Sequence, residues 1–156
     1  MSGQNQNKIA VFKAIANSVM AQGSDTMFGL LGDANLFMAD EYVRSYGGTF
    51  IPATHENNAV LMALGFAQVT GKTGVATITH GPALTNCLTA LVEGVKGTLP
   101  VVLLCGDTPV ADRDGAQNLP QRELVLAAGA GFEQMRSLDT VTVDIATAFR
   151  RARIER

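Results

Sequence analysis

Short apolar segments alternate with helical patterns along most of the chain, and this alternation limits the possible folds more than any other feature. Segments typical of buried strands occupy residues 26–31, 48–52, 75–79 and 99–105, with a weaker candidate at 132–138. Helical periodicity covers about 9–19, 35–46, 56–69, 82–95, 121–128 and 141–153. Apolar strands between helices are typical of parallel sheets that are covered on both faces. The pattern therefore predicts a single α/β domain with a doubly wound, mainly parallel sheet.

Length and composition limit the class of protein further. A chain of 156 residues with 47% hydrophobic and 17% charged residues can bury one full core. A net charge of −2 gives no general attraction to nucleic acid or to acidic membranes. The start, Met1–Lys8, is polar and unlike a secretory signal, and no apolar run is long enough to span a bilayer. Cys87 and Cys105 lack a CxxC spacing, so we expect buried free thiols and a cytoplasmic protein.

The fold class predicts where a ligand binds. In open parallel sheets, ligands bind outside the carboxyl ends of the strands, where the connections to the helices begin. The connections to inspect are residues 32–35, 53–57, 80–86 and 106–114.

The sequence does not match the common nucleotide-binding and metal-binding motifs. Thr70-Gly-Lys-Thr73 resembles the end of a phosphate-binding P-loop, but the glycine required five residues before Gly71 is replaced by Phe66. No dinucleotide-binding GxGxxG pattern is present. His55 and His80 have no close set of further metal ligands, so we predict no metal site in this chain.

Three segments together resemble one enzyme family. They are Phe28-Gly-Leu-Leu-Gly32-Asp-Ala-Asn35, His55-Glu-Asn-Asn-Ala-Val60, and Thr79-His-Gly-Pro-Ala-Leu-Thr-Asn86 with the later Leu99-Pro-Val-Val-Leu-Leu-Cys-Gly-Asp107. In this order and spacing they resemble the N-terminal, pyrimidine-binding domain of thiamine-diphosphate enzymes of the acetolactate synthase type. Each motif is weak alone, but the resemblance covers nearly the whole chain.

The resemblance implies a catalytic role for Glu56. In the family, the glutamate at this position hydrogen-bonds N1′ of the aminopyrimidine ring and favours the tautomer that removes a proton from the thiazolium. The cofactor then serves as the electron sink for decarboxylation of a 2-oxo acid. A carboxyl with this task should lie in a mostly apolar pocket, and no Lys or Arg occurs within ten residues of Glu56. Considered alone, Glu56 would be an ordinary acidic residue in the first turn of a helix.

The same resemblance suggests further site residues, each with a structural alternative. Gly32 and Pro82, which follows the flexible Gly81, are expected at the pyrimidine, although both also suit plain turns. Asn86 is expected near the cofactor or bonded to local backbone. Gln121 and His80 are expected to contact substrate.

Three positions depart from the family pattern. Many acetolactate synthases carry serine at the position of His80, glycine at that of Ala83 and proline at that of Leu31. These changes lie beside the expected site, so the substrate need not be pyruvate.

The resemblance also implies partners that lie outside this chain. The family holds Mg²⁺ and the diphosphate in a separate domain that belongs to another subunit, so we expect a homodimer or homotetramer. Whether FAD is bound is left open. We expect the sheet to lack its last strand, as in a fragment of a longer enzyme. The alternatives are one subunit of a split two-chain decarboxylase, and a non-catalytic binding or assembly module of the same fold.

Overall fold

The sheet of the predicted α/β domain is present and entirely parallel. The computed structural model describes residues 9–109, 111–112 and 114–155; the polar start Met1–Lys8, residues 110 and 113 in the loop after the fourth strand, and Arg156 lie outside these ranges. The strands are β1 (Thr26–Gly29), β2 (Thr49–Pro52), β3 (Gly74–Ile78) and β4 (Val101–Cys105). Their order is β2-β1-β3-β4 and all three pairs are parallel.

Helices cover both faces of this sheet, as predicted. They are α1 (Val11–Ala21), α2 (Leu36–Arg44), α3 (Glu56–Thr70), α4 (Pro82–Thr85), α5 (Leu88–Lys96), α6 (Gln121–Ala127) and α7 (Val141–Ile154). Side chains of a strand point alternately to the two faces, so Val75 packs with α1, α2 and α7 whereas Ala76 packs with α3 to α6. Within the described part of the chain, no helix combines the length and apolar character needed to cross a membrane.

The packing of α3 on the sheet depends on one glycine. Gly74 opens β3 and is buried, and a Cβ atom built on it would overlap the backbone carbonyl of Ala63 in α3. Ala59, Ala63 and Ala67 are all buried on the same helix. These small residues let α3 lie close to the sheet, which fixes the position of its first residue, Glu56.

The predicted strand at 132–138 is not formed. Residues 131–137 have no regular secondary structure, and β4 has no partner on its outer side among the described residues. A groove of about 800 Å³ is lined by β4, by residues 129–135 and by α7. A strand exchanges hydrogen bonds with a neighbouring strand about 4.8 Å away. The groove separates residues 132–138 from β4, so within the described chain this segment has no strand to pair with. Cys105 is half-buried rather than buried because it lies on this edge, whereas Cys87 is buried; both thiols are free.

A buried carboxylate holds the 132–138 segment against α7 instead. Asp144 is 3% exposed and accepts hydrogen bonds from the Thr140 hydroxyl and from the guanidinium and backbone N–H of Arg136. The Thr140 hydroxyl and the Arg136 contacts lower the pKa of Asp144 to about 2. Asp144 thus replaces a β-ladder as the anchor of this segment.

Two glycine substitutions should have opposite effects on stability. Gly74→Ala should destabilise the chain by about 1–3 kcal/mol, because the new methyl group forces α3 away from β3. Gly65→Ala should stabilise it by about 0.5–1 kcal/mol, because Gly65 lies within α3 with no atom near the site of a Cβ. Urea unfolding of the two variants and the parent chain measures both effects. A Gly74→Ala chain as stable as the parent would contradict the close contact.

The Asp144 cluster predicts an acid-dependent loss of stability. Because the pKa of Asp144 is lower in the folded chain than in the unfolded chain, its ionisation stabilises the fold above about pH 4, and this stabilisation is lost between about pH 4 and 2. Asp144→Asn should lower the melting temperature at pH 7, with a difference that shrinks towards pH 2. The control is Asp139→Asn, an exposed neighbour. A pH-independent difference for Asp144→Asn would contradict this assignment.

Candidate functional site

The candidate site lies at the carboxyl edge of the sheet, where the strand order reverses. The chain leaves β1 towards β2 on one side but later returns past β1 to place β3 and β4 on the other side. Connections on opposite sides of such a reversal leave a crevice between them. The connections that follow β1, β2 and β3 contain Gly32, Glu56 and His80 respectively, so the fold places these predicted residues along one edge.

Glu56 and Asn86 contact each other directly. Glu56 is the first residue of α3, and its Oε2 accepts a hydrogen bond of 3.0 Å from Nδ2 of Asn86. His55 is the N-cap of α3, where its Nδ1 accepts a hydrogen bond from the backbone N–H of Asn57. The Glu56 side chain is 16% exposed, compared with 54% for His55. The structure thus brings together two of the residues predicted to bind the cofactor.

The break between α4 and α5 creates the Glu56–Asn86 contact. The sequence predicts one helix over 82–95, which is wrong, because the helix is interrupted at Asn86 and Cys87. The backbone N–H of Ala90 hydrogen-bonds Oδ1 of Asn57 at 3.1 Å instead of the carbonyl four residues earlier. The interruption leaves the Asn86 side chain free to reach across to α3.

The surroundings of Glu56 suit a carboxylate that binds a heterocyclic nitrogen. Among the described residues, His55 is the only basic side chain within ion-pair distance of Glu56, at 4.0 Å. Burial first, and the charge of Glu56 second, raise the pKa of the nearby Cys87 thiol to about 12. Oε1 of Glu56 makes no hydrogen bond within the described chain, and no buried side-chain oxygen there lacks a partner. Oε1 is therefore open to a ligand.

Gly32 lies against the connection that follows β3. A Cβ atom on Gly32 would lie 2.8 Å from Cβ of Thr79. The N–H of Gly32 donates to Oδ1 of Asn35, whose buried amide donates in turn to Leu30 O and to Oγ1 of Thr77. Close packing thus gives Gly32 a structural reason to be glycine. Sequence reasoning missed Asn35, although a polar residue just after a buried strand was a usable signal.

Gly81, Pro82 and Gln121 form a second linked group. Oε1 of Gln121 accepts from the backbone N–H of Gly81 at 2.8 Å, and its Nε2 donates to Gly106 O at 2.9 Å. A Cβ on Gly81, which has φ +62°, would overlap the carbonyl of Gln117. The close backbone approach expected at Gly81 is therefore made by the loop after β4. Pro82 is exposed at the start of α4, and the Gln121 amide bridges the connections after β3 and β4.

His80 is buried beside this group, with 8% of its surface exposed. Its Nδ1 lies 3.3 Å from Oγ1 of Thr79, and no other hydrogen bond to the ring is made within the described residues. Within the described chain, no hydrogen bond or ion pair joins the His80, Glu56 and Gln121 side chains to one another. The predicted residues therefore form separate contacts along one edge rather than a single cluster.

A metal site is not found at this edge. Among residues 9–109, 111–112 and 114–155, no group of three or more His, Cys, Asp and Glu side chains has the geometry to hold a metal ion.

Comparison with known proteins identifies the family of the chain. Residues 9–129 match the family model described as "Thiamine pyrophosphate enzyme, N-terminal TPP binding domain". The chain is 32% identical over 137 residues to the acetolactate synthase isozyme 2 large subunit of Escherichia coli K12, a match that covers 86% of this chain and 25% of that protein. It is 34% identical over 112 residues to the sulfoacetaldehyde acetyltransferase of Castellaniella defragrans, covering 72% of this chain and 18% of that protein.

A third relative is the mitochondrial acetolactate synthase catalytic subunit of Saccharomyces cerevisiae, 36% identical over 98 residues, which are 62% of this chain and 14% of that protein. The chain thus spans a quarter or less of the length of these relatives. The chain belongs to the thiamine pyrophosphate enzyme family and corresponds to its N-terminal domain.

Proposed function

We propose that Glu56 binds N1′ of the aminopyrimidine ring of thiamine diphosphate (thiamine pyrophosphate). The observation that carries this proposal is a carboxylate with one oxygen held by Asn86, the other open to a ligand, and no Lys or Arg beside it among the described residues. A nearby cation would stabilise the ionised carboxylate and weaken its affinity for the proton that Glu56 has to share with the ring. When bound, the cofactor supplies an electron sink for cleavage of the bond next to a carbonyl group.

The other residues of the edge hold or shape this site. Asn86 orients the Glu56 carboxylate, and Gly32 and Pro82 border the space for the ring. Gln121 holds the connections after β3 and β4 together through both ends of its amide. The amide also donates to Oδ1 of Asp107 and accepts from Sγ of Cys105, both at 3.3 Å, so a direct contact with substrate would require it to give up one of its bonds. We therefore assign Gln121 to the shape of the pocket.

The complete active site requires partners. We propose that a diphosphate-binding domain of another subunit completes the site and holds Mg²⁺, in a homodimer or homotetramer. The described residues offer no metal ligands for that purpose.

The reaction class that we propose is decarboxylation of a small 2-oxo acid, with optional ligation of the product to a second carbonyl. The names of the relatives, acetolactate synthase and sulfoacetaldehyde acetyltransferase, are compatible with this class and differ in the substrate. A non-catalytic assembly module is the competing function. It would not need the open carboxylate oxygen of Glu56. A subunit of a split two-chain decarboxylase would carry out the same chemistry.

Replacing Glu56 tests the proposal most directly. In the holoenzyme that contains this chain and its diphosphate-binding domain, Glu56→Gln should lower kcat for 2-oxo acid decarboxylation by about 10²–10⁴-fold, because the amide cannot take up the ring proton. Glu93→Gln, an exposed glutamate on α5, is the control and should keep parental activity. Carbon dioxide release from a panel of 2-oxo acids is the measurement. Full activity of Glu56→Gln would disprove the assignment.

Asn86 should affect catalysis because it orients the Glu56 carboxylate. Asn86→Ala removes the hydrogen bond that orients the Glu56 carboxylate and should reduce kcat/KM by roughly 10-fold. Asn58→Ala changes an exposed asparagine on α3, the helix that begins with Glu56, and should have no effect. Combining Asn86→Ala with Glu56→Gln should cost little more than Glu56→Gln alone, since both act on one contact. Additive losses would show that Asn86 acts independently.

A further inference from the structure

Three side chains outside the Glu56 contact form a continuous hydrogen-bonded chain. Oγ1 of Thr79 lies 2.8 Å from Oδ1 of Asp33, and the same Oγ1 lies 3.3 Å from Nδ1 of His80. Asp33 belongs to the connection after β1, whereas Thr79 and His80 follow β3. The chain therefore crosses the point where the strand order reverses.

The chemistry of these groups fixes the direction of both hydrogen bonds. The Thr79 hydroxyl holds the pKa of Asp33 below its usual value, so this carboxylate is ionised at neutral pH and can only accept. A threonine hydroxyl has one hydrogen, and the bond to Asp33 uses it. The contact with His80 must then be donated by Nδ1–H of the ring. A neutral His80 therefore carries its proton on Nδ1 and a lone pair on Nε2.

The other nitrogen of His80 is open. Thr79 is the only hydrogen-bond partner of the ring within the described chain, and no buried side-chain nitrogen there lacks a partner. Nε2 is therefore reached by solvent, although His80 as a whole is only 8% exposed. The ring lies at the carboxyl end of β3, next to the Gly81–Pro82 turn. Nε2 of His80 is thus an accessible hydrogen-bond acceptor at the carboxyl edge of the sheet.

The position of Thr79 is itself constrained. A Cβ on Gly32 would lie 2.8 Å from Cβ of Thr79 and 3.2 Å from its Cγ2 and Oγ1, so the backbone of residue 32 packs directly on this side chain. The backbone carbonyl of Thr79 accepts from the N–H of Gly106 at 2.9 Å. Thr79 is therefore held between the connections after β1 and β4, which lets it transmit the orientation set by Asp33.

We propose that Asp33 and Thr79 are positioning residues that hold His80 as the Nδ1–H tautomer and present Nε2 as a hydrogen-bond acceptor to a hydroxyl group on the side chain of the 2-oxo acid, since the carbonyl and carboxylate of a 2-oxo acid only accept. The tautomer stands on the structure alone, whereas the substrate contact rests on the proposed function. Free histidine in water prefers the opposite tautomer, so the fold must impose this one. The departure from serine at this position thereby gains a chemical meaning: serine is a donor as well as an acceptor, whereas this imidazole nitrogen only accepts until it is protonated.

The chain contains an internal reference for the test. It has two histidines, and the structure assigns them opposite tautomers. His55 accepts a backbone N–H at Nδ1 and must carry its proton on Nε2 when neutral. Long-range ¹⁵N–¹H correlation spectra of the ¹⁵N-histidine-labelled 156-residue chain, recorded at about pH 8.5 where an ordinary histidine is neutral, distinguish the two forms. We expect an Nδ1–H pattern for His80 and an Nε2–H pattern for His55; an Nε2–H pattern for His80 would overturn the proposal.

Substitutions separate positioning from simple packing. Thr79→Val removes the hydroxyl at nearly constant shape, and Asp33→Ala removes the acceptor of its proton; both should shift His80 towards a mixture of tautomers. Thr79→Ser keeps the hydroxyl and should retain the Nδ1–H pattern even if it lowers the melting temperature. Asp40→Ala, on the surface of α2, is the matched control. An unchanged His80 pattern in Asp33→Ala would show that Asp33 has no positioning role, and the dispersion of the amide spectrum verifies folding of each variant.

The contact of Nε2 of His80 with substrate is tested separately, by steady-state kinetics of the holoenzyme. Asp33→Ala and Thr79→Val should lower kcat/KM by about 10-fold for a 2-oxo acid with a side-chain hydroxyl but not for one without it, with Thr79→Ser close to the parent. If the spectra show the expected tautomers but these variants keep parental kinetics, the contact of Nε2 with substrate is wrong. If the parent holoenzyme releases no carbon dioxide from any 2-oxo acid, the proposed function fails while the tautomer result stands.

Discussion

The parallel contact between β1 and β3, across the reversal of strand order, is the constraint on which the rest of the structure depends. Both connections that leave this pair start at the same edge but run to opposite faces of the sheet. The strands and their connections can approach because Gly29 and Gly32 place no side chain against Thr77 and Thr79. The buried Asn35 amide then hydrogen-bonds the connection after β1, at Leu30, and the Thr77 side chain of β3. This contact determines where the connections after β1 and β3 meet.

The hydrogen bond between Glu56 and Asn86 is positioned by the ends of helices that pack on the sheet rather than by the strands themselves. Gly74 and the buried alanines let α3 lie close to β3, so the first residue of α3 stands over the carboxyl edge. Asn57 holds the start of α5, and the helix break that results releases Asn86 towards Glu56. Burial of the nearby Cys87 keeps the region apolar. Glu56, an acidic residue in the first turn of a helix, thereby has one carboxylate oxygen hydrogen-bonded to Asn86 and the other accessible to a ligand.

Two kinds of polar group share the same edge but have different tasks. Glu56 is a carboxylate without a strong cationic partner among the described residues, which suits proton sharing with a heterocycle. Asp33 is a carboxylate held ionised by the Thr79 hydroxyl, and it determines where a proton lies on a neighbouring imidazole. The environments, not the residue types, separate these tasks. This division is compatible with a family in which the cofactor performs the bond cleavage and the protein supplies orientation.

The sequence by itself determined the α/β class, four of the strands, the parallel sheet with helices on both faces, and the edge at which the ligand-binding connections lie. These features follow from local apolar periodicity, which is set by backbone geometry and needs no knowledge of distant contacts. Only the tertiary structure decided that residues 131–137 form no strand, that the helix after Pro82 breaks at Asn86, and that Asp33 reaches Thr79. In each case the deciding hydrogen-bond partner, or its absence, lies far away along the chain. The apolar periodicity of a segment indicates which of its faces is buried. Pairing of strands, a break in a helix and the tautomer of a histidine depend instead on which atoms of distant residues lie within hydrogen-bonding distance.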